Sequence, residues 1–360
     1  MLNKLNPEAK RADSIYTSYM KRKILFIGPL PDPKGGVSIH IFRLGDMISP
    51  FADVRYIDES SVRKEEYFNV RSLRLFAYIK LILWADIVHI HSAINVFRIL
   101  HICISKLLFK KVVITLHYTP VNQNLFFLRS LLNLCDKVVL VNKEAVAMLH
   151  LKKKPYVKEA FIPPSAKEDK VLPVSAENWI RDKKEKGYFI ISANAWHLDI
   201  INNVDLYGLD MCVSAIKEFK NRLQKKVALV FTISYVTDSD TYYFDTIKHI
   251  KELEVEDEVL ITTENVSFIK VIELSDIVLR PTNIDGDALT VRESLYLGVP
   301  VIASDVVARP EGTILFETRS QRDFFEKLDT TLGNIERIKE SLSYPLTENY
   351  ISFYKNLYEI

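Results

Sequence analysis

Residues 280–312 of this chain read RPTNIDGDALTVRESLYLGVPVIASDVVARPEG, and this stretch decides the fold. The pattern predicts a loop, a helix over 288–297, a tight turn at Gly298 and a strand over 299–303. Asp285, Gly286 and Asp287 form a turn signal that is expected to supply the N-cap of the helix. The strand is short and apolar, which is typical of a strand buried on both faces of a parallel sheet.

On the predicted helix, Ala288, Val291 and Leu295 form one apolar stripe, and Glu293 is expected to point away from that stripe. A carboxylate just beyond a helix N-terminus that follows a strand lies where α/β sheets bind ligands. The free amides of such an N-terminus suit a phosphate. The residues alone leave two interpretations open: a ligand site, or a solvated helix face with Asp285 as a simple cap.

The same stretch resembles the signature of the retaining glycosyltransferases of the GT-B fold, in the family 4-like (group 1) enzymes. Their motif is Glu-x7-Glu, followed by a small-residue turn and a Pro-Val-Ile-Ala strand. Here Glu293 is the second acid, and Asp285 stands in place of the first. The resemblance implies that Glu293 binds the ribose of a nucleotide and that Asp285 holds a donor-sugar hydroxyl as a catalytic group. It also implies that the donor site includes Gly286, Asp287, Ala288 and Leu289.

Length and composition describe an ordinary two-domain globular chain. At 360 residues a single core is unexpected, and the chain is 48% hydrophobic and 26% charged. No window of about 18 uncharged apolar residues indicates a transmembrane helix. The scattered Cys103, Cys135 and Cys212 predict reduced thiols in a cytoplasm, and no Cys/His spacing indicates a zinc site.

The charge of the chain is distributed unevenly. Residues 1–160 carry 25 Lys and Arg against 13 Asp and Glu, a net charge of +12, and the remainder carries −10. A basic half favours a polyanionic partner. Nucleic acid is not supported, because no helix-turn-helix, zinc or RNP-like pattern is present. Basic helices interleaved with Leu, Phe and Trp predict peripheral binding to the anionic inner face of the cell membrane, with ordinary solvated helix faces as the alternative.

The order of the predicted elements divides the chain into two similar domains. Residues 1–20 are expected to be a flexible extension, with Met20 as an alternative start. Residues 21–165 alternate apolar strands and helices, among them a helix over 71–83, which is typical of a doubly wound parallel sheet. Residues 165–187 read as a polar connection, and a second strand series, which includes strands over 227–233 and 314–316, occupies the domain over 166–344. The resemblance implies that a helix over 345–360 packs back on the first domain and that two Rossmann-like domains face each other across a cleft.

The first strand–helix junction of the chain contains Lys34, Gly35 and Gly36. Two glycines there allow a close backbone approach to a ligand, although a tight turn explains them as well. The dinucleotide fingerprint Gly-x-Gly-x-x-Gly is absent. The resemblance implies that this loop lies against the donor phosphates and the acceptor.

Three histidines lie on or after predicted strands. His91 and His117 are expected at the C-terminal ends of strands, which is the ligand edge of such a sheet. For each, a satisfied structural role is the alternative. His117 resembles the family residue that faces the donor sugar, whereas His89 is predicted to be structural.

The chain departs from the family at the donor diphosphate. In the family an Arg ends the first strand of the second domain and a Lys-Gly turn follows, and both cations bind the diphosphate. Here the corresponding residues are Ser192–Trp196 (sequence SANAW) and the turn Tyr207-Gly208. Arg280, Arg292 and Lys34 are the candidate replacements, and an ion-pair role within the fold is the alternative for the two arginines.

These patterns together predict a retaining glycosyltransferase that moves a sugar from a nucleotide-sugar to a glycan or polyprenyl-linked acceptor. The resemblance suggests bacterial surface polysaccharide synthesis and a hexosyltransferase that needs no metal or other cofactor. Asp285-Gly-Asp287 spells the Asp-x-Asp metal motif, but its place before the motif helix argues against metal binding. A sugar-nucleotide epimerase and a non-catalytic nucleotide-sugar or glycan binding protein remain as alternatives.

Overall fold

The structure is a computed structural model that describes residues 21–31, 35–118, 120, 124–165, 168, 171–223, 225–263, 266–286, 288–342 and 347–360. The extension predicted over 1–20 and the candidate donor-binding residues Lys34 and Asp287 lie outside the described residues. The chain divides into two compact units. The first contains the described residues up to Ser165 together with the C-terminal helix, and the second contains the chain between them.

The first unit is built on a sheet to which the described residues contribute seven strands. These are β1 (Arg22–Gly28), β2 (Ala52–Asp58), β3 (Phe68–Asn69), β4 (Ile87–Ile90), β5 (Lys111–Leu116), β6 (Lys137–Leu140) and β7 (Tyr156–Val157). They lie in the order β3-β2-β1-β4-β5-β6-β7, and every neighbouring pair is parallel. The connecting helices are α1 (Gly36–Ile48), α2 (Leu75–Trp84), α3 (Asn95–Leu107), α4 (Leu125–Leu132) and α5 (Glu144–Leu149).

Side chains of the first sheet enter two separate cores. Along β1, Leu25 and Ile27 face one hydrophobic cluster, and Ile24 and Phe26 face the other. This is the alternation that the pleat of a strand imposes, and it explains why the strand reads as one continuous apolar run. The cluster around Phe26 also receives Tyr354, Leu357 and Tyr358 of the C-terminal helix.

The second unit repeats the plan with a sheet of six strands among the described residues. Its strands are β8 (Phe189–Ala195), β11 (Val227–Ile233), β12 (Val259–Thr262), β13 (Ile277–Arg280), β14 (Val301–Ser304) and β15 (Ile314–Phe316), and β9 (Ile200–Ile201) pairs antiparallel with β10 (Val204–Asp205). The order is β12-β11-β8-β13-β14-β15, all parallel. Its helices are α6 (Val174–Glu185), α7 (Leu209–Glu218), α8 (Thr241–Glu252), α9 (Phe268–Leu274), α10 (Leu289–Tyr296), α11 (Gln321–Gly333) and α12 (Ile335–Ser341). The C-terminal helix α13 (Thr347–Tyr358) belongs to the first unit.

Two predicted boundaries are wrong for local reasons. The polar connection expected over 165–187 contains the helix α6, whose Ala176 and Ile180 are buried against the sheet. The amphipathic face of this helix is narrow, so its many charged residues obscured it. The helix predicted from Arg71 begins at Leu75, because a 3-10 turn precedes it and Leu73 adopts a left-handed conformation with φ 57°.

Each sheet has one place where the direction of strand addition reverses. In the first unit β1 lies between β2 and β4, and in the second β8 lies between β11 and β13. In open α/β sheets, ligands bind outside the carboxyl ends of the strands at such a reversal. The residues that follow β1, β4, β8 and β13 are therefore the first candidates for a functional site.

Candidate functional site

A buried carboxylate held by two arginines lies at the carboxyl edge of the second sheet. Arg280 ends β13, and its Nε and Nη2 donate to Asp285 at 3.0 and 2.9 Å. Arg309, from the loop after β14, donates through Nη1 to the same carboxylate at 2.8 Å. The side chain of Asp285 is only 6% exposed. Two guanidinium groups around one carboxylate give this cluster of three side chains a net positive charge.

Further donors hold the loop that carries Asp285. Thr282 Oγ1 donates to Asp285 Oδ2 at 3.0 Å, and the Gly286 amide donates to Oδ1 at 3.0 Å. Ser304 Oγ, at the end of β14, donates to the carbonyl of Thr282. The contacts of Asp285 in the structure thus come from the chain itself, and its predicted contact with a donor-sugar hydroxyl stays a prediction.

The pKa of Asp285 is set by two opposing effects, burial of the carboxyl group and its contacts with the two arginines. Burial alone would raise the pKa of the carboxyl group, because an apolar environment disfavours the charged form. The hydrogen bonds and positive charges of Arg280 and Arg309 outweigh burial and lower the pKa to about 2. Asp285 is therefore ionised at any physiological pH.

Helix α10 carries Glu293 at this edge and confirms the helix predicted over 288–297. Its N-cap is Ala288, without a side-chain cap hydrogen bond, so the prediction that the Asp285–Asp287 turn caps the helix is wrong. Glu293 is 7% exposed, and the alternative of a solvated helix face is wrong as well. Thr290 in the first turn donates to Asn194 Oδ1 at 3.0 Å, which ties α10 to the end of β8. Arg292 and Leu289, also predicted to bind the donor, are half-buried on the same helix.

The turn Tyr207-Gly208, where the family has one of its diphosphate-binding cations, is held by a buried carboxylate. The buried carboxylate of Asp205 accepts from the amides of Tyr207, Gly208 and Asp210, and so it caps the N-terminus of α7. Tyr242 donates its hydroxyl to the same carboxylate at 2.8 Å. Gly208 has φ 72°, and a Cβ there would lie 2.3 Å from the carbonyl oxygen of Pro281. This glycine lets the α7 turn pack against the loop that carries Asp285.

At the carboxyl edge of the first sheet, the predicted glycine loop begins α1. Gly35 is the N-cap, and its amide donates to Ser38 Oγ at 2.8 Å. A Cβ on Gly36 would meet nothing within 4 Å, and one on Gly35 would meet only Ser38 Oγ at 3.8 Å. Packing within the described residues does not require glycine at either position. By contrast, a Cβ on Gly28, at the end of β1, would lie 3.1 Å from His91 Cβ.

Three histidines meet at the same edge. His91 follows β4 and His117 follows β5, as the sequence predicted, and His91 Nδ1 lies 2.9 Å from His117 Nε2. His40 of α1 completes the cluster, with ring centroids 5.2 Å from His91 and 4.7 Å from His117. His89, two residues before His91, lies beside the cluster with its ring centroid 4.1 Å from that of His91, and both of its nitrogens have hydrogen-bond partners, in agreement with the predicted structural role.

The three imidazoles of this cluster are neutral. Burial lowers the pKa of His40 to about 4; the Ala160 carbonyl acts in the opposite direction, and the positive charge of Arg43 lowers the pKa further. Burial, followed by the neighbouring histidines, also holds the pKa values of His91 and His117 well below the usual range. The edge of the first sheet therefore presents neutral nitrogens where the edge of the second presents charges.

Helices α2 and α3 of the first unit expose large apolar side chains beside basic ones. The two helices are joined by a 2.8 Å contact between Tyr78 Oη and His101 Nδ1. Lys110 Nζ, just after α3, donates to the Leu83 carbonyl in α2. We define the apolar face as the exposed residues Leu73, Phe76, Leu83, Leu107 and Phe109. Phe76 and Phe109 are 93% and 95% exposed, so core packing does not explain this part of the surface.

Solved structures share this two-sheet plan over nearly the whole chain. A glycosyltransferase from Rickettsia africae superimposes with a TM-score of 0.67 at 16% identity, covering 94% of this chain and 99% of that one. HepE from Anabaena, solved in complex with UDP, matches with a TM-score of 0.62 at 13% identity over 89% of this chain and 92% of its own. Sucrose-phosphate synthase from Thermosynechococcus elongatus matches with a TM-score of 0.59 at 14% identity, covering 94% and 98%.

The chain has the GT-B fold. No protein-family model and no curated protein matches the sequence. In this GT-B chain, the described helices include none that is both long and apolar enough to span a bilayer.

Sequence reasoning missed three contributors to the two edges of this GT-B chain. Arg309 lies within the quoted motif stretch, in the loop after β14, so its position was a usable signal. Asp205 is the second residue of the two-residue strand β10, whose hairpin has no strong sequence pattern. His40 lies on a helix otherwise explained by its apolar face, so nothing in the sequence linked it to His91 or His117, which are more than 50 residues away.

Proposed function

We propose that this chain is a retaining glycosyltransferase that takes a sugar from a nucleotide-sugar. The observation that carries the proposal is the motif itself. On a GT-B fold, Asp285 and Glu293 belong to the segment after β13, the strand next to the reversal of the second sheet. Two arginines hold the Asp285 carboxylate. The neighbouring HepE has been solved with UDP and with UDP-glucose, which supports a uridine-diphosphate sugar as the first donor to try.

Each group at the second sheet has a distinct task in this proposal. Glu293 accepts hydrogen bonds from the ribose hydroxyls. Arg280 takes part of the work of the absent cation pair: two of its nitrogens hold Asp285, while Nη1 makes only a long contact of 3.4 Å with the Asn194 carbonyl oxygen. Its side chain is 14% exposed, compared with 1% for Arg309. Arg280 is thus the arginine of the pair that can reach a diphosphate.

Departure of the nucleoside diphosphate from the anomeric carbon leaves charge that must be stabilised. A fixed guanidinium and the N-terminal amides of α10 stabilise that charge without reorganisation and without a metal at the diphosphate. Asp285 supports this step by keeping Arg280 in place, and its contact with the donor sugar, like that of His117, belongs to the proposal. In this scheme the acceptor attacks from the face that the diphosphate leaves, so the configuration of the sugar is retained.

The acceptor side of the proposal concerns the first unit. The Gly35–Gly36 loop leaves open space beside the N-terminus of α1, which suits the approach of a ligand to the backbone. The apolar face is flanked by Arg71, Arg74, Lys80 and Lys110, a combination that suits the anionic inner surface of a cell membrane. A polyprenyl-linked glycan is therefore the proposed acceptor, and bacterial surface polysaccharide synthesis is the proposed role.

The experiment begins with a thermal-shift screen of the purified chain against UDP-, GDP-, ADP-, CMP- and dTDP-sugars. Any donor that stabilises the protein is then incubated with lipid-linked and soluble glycan acceptors, with and without a chelator, and the anomeric configuration of the product is read by NMR. Transfer of the sugar to the lipid-linked acceptor with retention of the anomeric configuration supports the proposal. Binding without transfer to any acceptor favours the non-catalytic binding protein. Conversion of the donor to another nucleotide-sugar without an acceptor favours the epimerase.

A further inference from the structure

The histidine cluster of the first unit has unused hydrogen-bonding capacity. His40 and His91 are each 1% exposed, and the Nε2 atom of each has no hydrogen-bond partner among the described residues. A buried polar atom without a partner costs about 1–3 kcal/mol, so the unpartnered Nε2 of His40 needs an explanation. The proposed transfer reaction uses neither atom.

The tautomer of His40 is fixed by its neighbour. Its Nδ1 contacts the carbonyl oxygen of Ala160, which can only accept, so Nδ1 carries the proton. The Nε2 of the neutral ring is therefore a bare lone pair, buried and without a hydrogen-bond partner among the described residues. A histidine that donates one N–H to a backbone carbonyl and leaves the other nitrogen bare is the usual arrangement of a metal ligand.

The contact between His91 and His117 is compatible with a shared ion. Their Nδ1 and Nε2 atoms lie 2.9 Å apart, a distance that a single shared proton also gives. Two nitrogens bound to one ion at about 2.0–2.1 Å would lie about 2.9 Å apart at a right angle and about 3.4 Å apart in a tetrahedron. The pair is thus already at the spacing of neighbouring ligands. One nitrogen from each of the three histidines lies within 4.8 Å of the other two.

We propose that His40, His91 and His117 form a binding site for one first-row divalent transition-metal ion such as Zn²⁺, with His40 bound through Nε2. Three neutral imidazoles suit zinc, copper, nickel and iron, whereas magnesium and calcium prefer oxygen ligands. The sequence predicted no metal site because the ligands come from one helix and two strand ends, with no short Cys/His spacing.

The fold prepares this site through close packing at the strand reversal. Gly28 ends β1, where a Cβ would lie 3.1 Å from His91 Cβ and 2.6 Å from Ile41 Cδ1. The glycine therefore lets α1, which carries His40, and the end of β4, which carries His91, approach each other. All three ligands belong to the first unit, and His117 is the one that the proposed function also places near the donor sugar, so metal binding is measured without nucleotide.

The test uses the full chain, freed of metal with a chelator and titrated with Co²⁺ and then with Zn²⁺, with no nucleotide present. We expect one ion per chain, a visible cobalt spectrum that zinc abolishes, and nitrogen-only protein coordination by X-ray absorption. Replacing a ligand, as in His40→Ala or His91→Ala, should weaken zinc binding at least about 100-fold. His249→Gln, which changes an exposed histidine of the second unit, should leave the affinity unchanged.

A second variant keeps the proposal testable if the alanine variants fail to fold. His117→Cys retains a metal-binding side chain, and thiolate coordination adds a charge-transfer band to the cobalt spectrum that the wild-type chain lacks. The absence of zinc and cobalt binding by the folded wild-type chain at millimolar metal would overturn the proposal. So would binding that His249→Gln weakens as much as His40→Ala does, or a folded His117→Cys chain whose bound cobalt lacks the thiolate band.

Discussion

The carboxyl edges of the two sheets have the same topology and opposite chemistry. In both, the strand order reverses beside the first strand of the unit, and the candidate side chains follow the strands on either side. The second unit places Arg280, Arg309 and Asp285 there, and all three are charged. The first unit places histidines there, and burial keeps them neutral. Topology therefore sets where a ligand binds, and the residues after each strand set which ligand it is.

The difference also determines how each edge remains stable. A buried charge needs a partner with good geometry, because its desolvation is otherwise uncompensated. Asp285 has two guanidinium partners and two further donors, so its cluster stabilises the loop whether or not a ligand is bound. The imidazoles of the histidine cluster are instead uncharged, and two of their buried ring nitrogens have no hydrogen-bond partner among the described residues. One edge is thus satisfied by the chain alone, and the other gains most from a bound ion.

The largest expected effect follows from removing the charge between the two arginines. Asp285→Asn leaves two largely buried guanidinium groups without a charged partner, and we expect the free energy of unfolding to fall by about 3–5 kcal/mol. Urea unfolding followed by circular dichroism measures this loss. Asp329→Asn, which removes a half-exposed partner of Lys225, is the matched control and should change stability by less than about 1 kcal/mol. Equal small losses for both variants would show that the cluster is not a structural clamp.

The lowered pKa of Asp285 makes the free energy of unfolding depend on pH. Its folded pKa of about 2 lies below the ordinary value of 3.8, so its contribution is complete above about pH 4 and is lost as the pH falls toward 2. The shift corresponds to roughly 2 kcal/mol. Between pH 4 and pH 2, the wild-type chain should therefore lose roughly that much more stability than Asp285→Asn does. Parallel stability curves for the two chains would contradict the ion-pair assignment.

A smaller effect separates the two arginines. Arg280→Gln and Arg309→Gln each remove one guanidinium from Asp285, so both should lower stability. Only Arg280→Gln should weaken UDP binding more than uridine binding, by about 1.5–3 kcal/mol, because Arg280 is the more exposed of the two. Calorimetric titrations of both ligands into both variants measure the difference. Equal losses of UDP and uridine affinity in Arg280→Gln would remove this residue from the diphosphate site.

The smallest effect concerns the apolar face. Phe76→Ser and Phe109→Ser should each weaken sedimentation with anionic vesicles, and binding should weaken further with salt, because each nearby Lys or Arg contributes about 1 kcal/mol at such a surface. Phe244→Ser, at a half-exposed phenylalanine of the second unit, is the control and should have no effect. Equal binding to neutral vesicles, or no loss in either variant, would exclude the apolar face as a membrane contact.

Much of the fold could be predicted because the buried strands are apolar runs with clear ends. The strands over 227–233 and 314–316 have the predicted bounds, and the motif helix is shorter than predicted by one residue at each end. Helix α6 was missed because most of its residues are charged. Sequence periodicity reports burial, and a helix that buries only a few residues gives a weak signal.

The position of the candidate site in the chain was predictable, but the ion pairs between its side chains were not. The sequence indicated that Arg280, Asp285 and Glu293 share one edge, and it left open whether Arg280 binds a ligand or another residue. In the structure the partner of Arg280 is Asp285, five residues away. Asp285 has a second arginine partner, Arg309, which lies after the next strand. Such pairings depend on side-chain directions in loops, which have no periodicity. The histidine cluster was not predictable for the same reason: three segments far apart in sequence meet only in the folded sheet.

The most direct test of the donor site is calorimetric titration of UDP into the wild-type chain and into Glu293→Gln. If the screen selects another donor, the corresponding nucleoside diphosphate replaces UDP. Glu293 lies on α10, eight residues after Asp285, and the proposal assigns its carboxylate to the ribose. Loss of a charged hydrogen-bond acceptor should weaken nucleotide binding by about 1.5–3 kcal/mol, roughly 10- to 150-fold. Glu317→Gln, an exposed acid after β15, should bind as the wild type does. Unchanged affinity in Glu293→Gln, or a wild-type chain that binds no nucleoside diphosphate, would contradict the claim that the charged edge of the second sheet is the donor site.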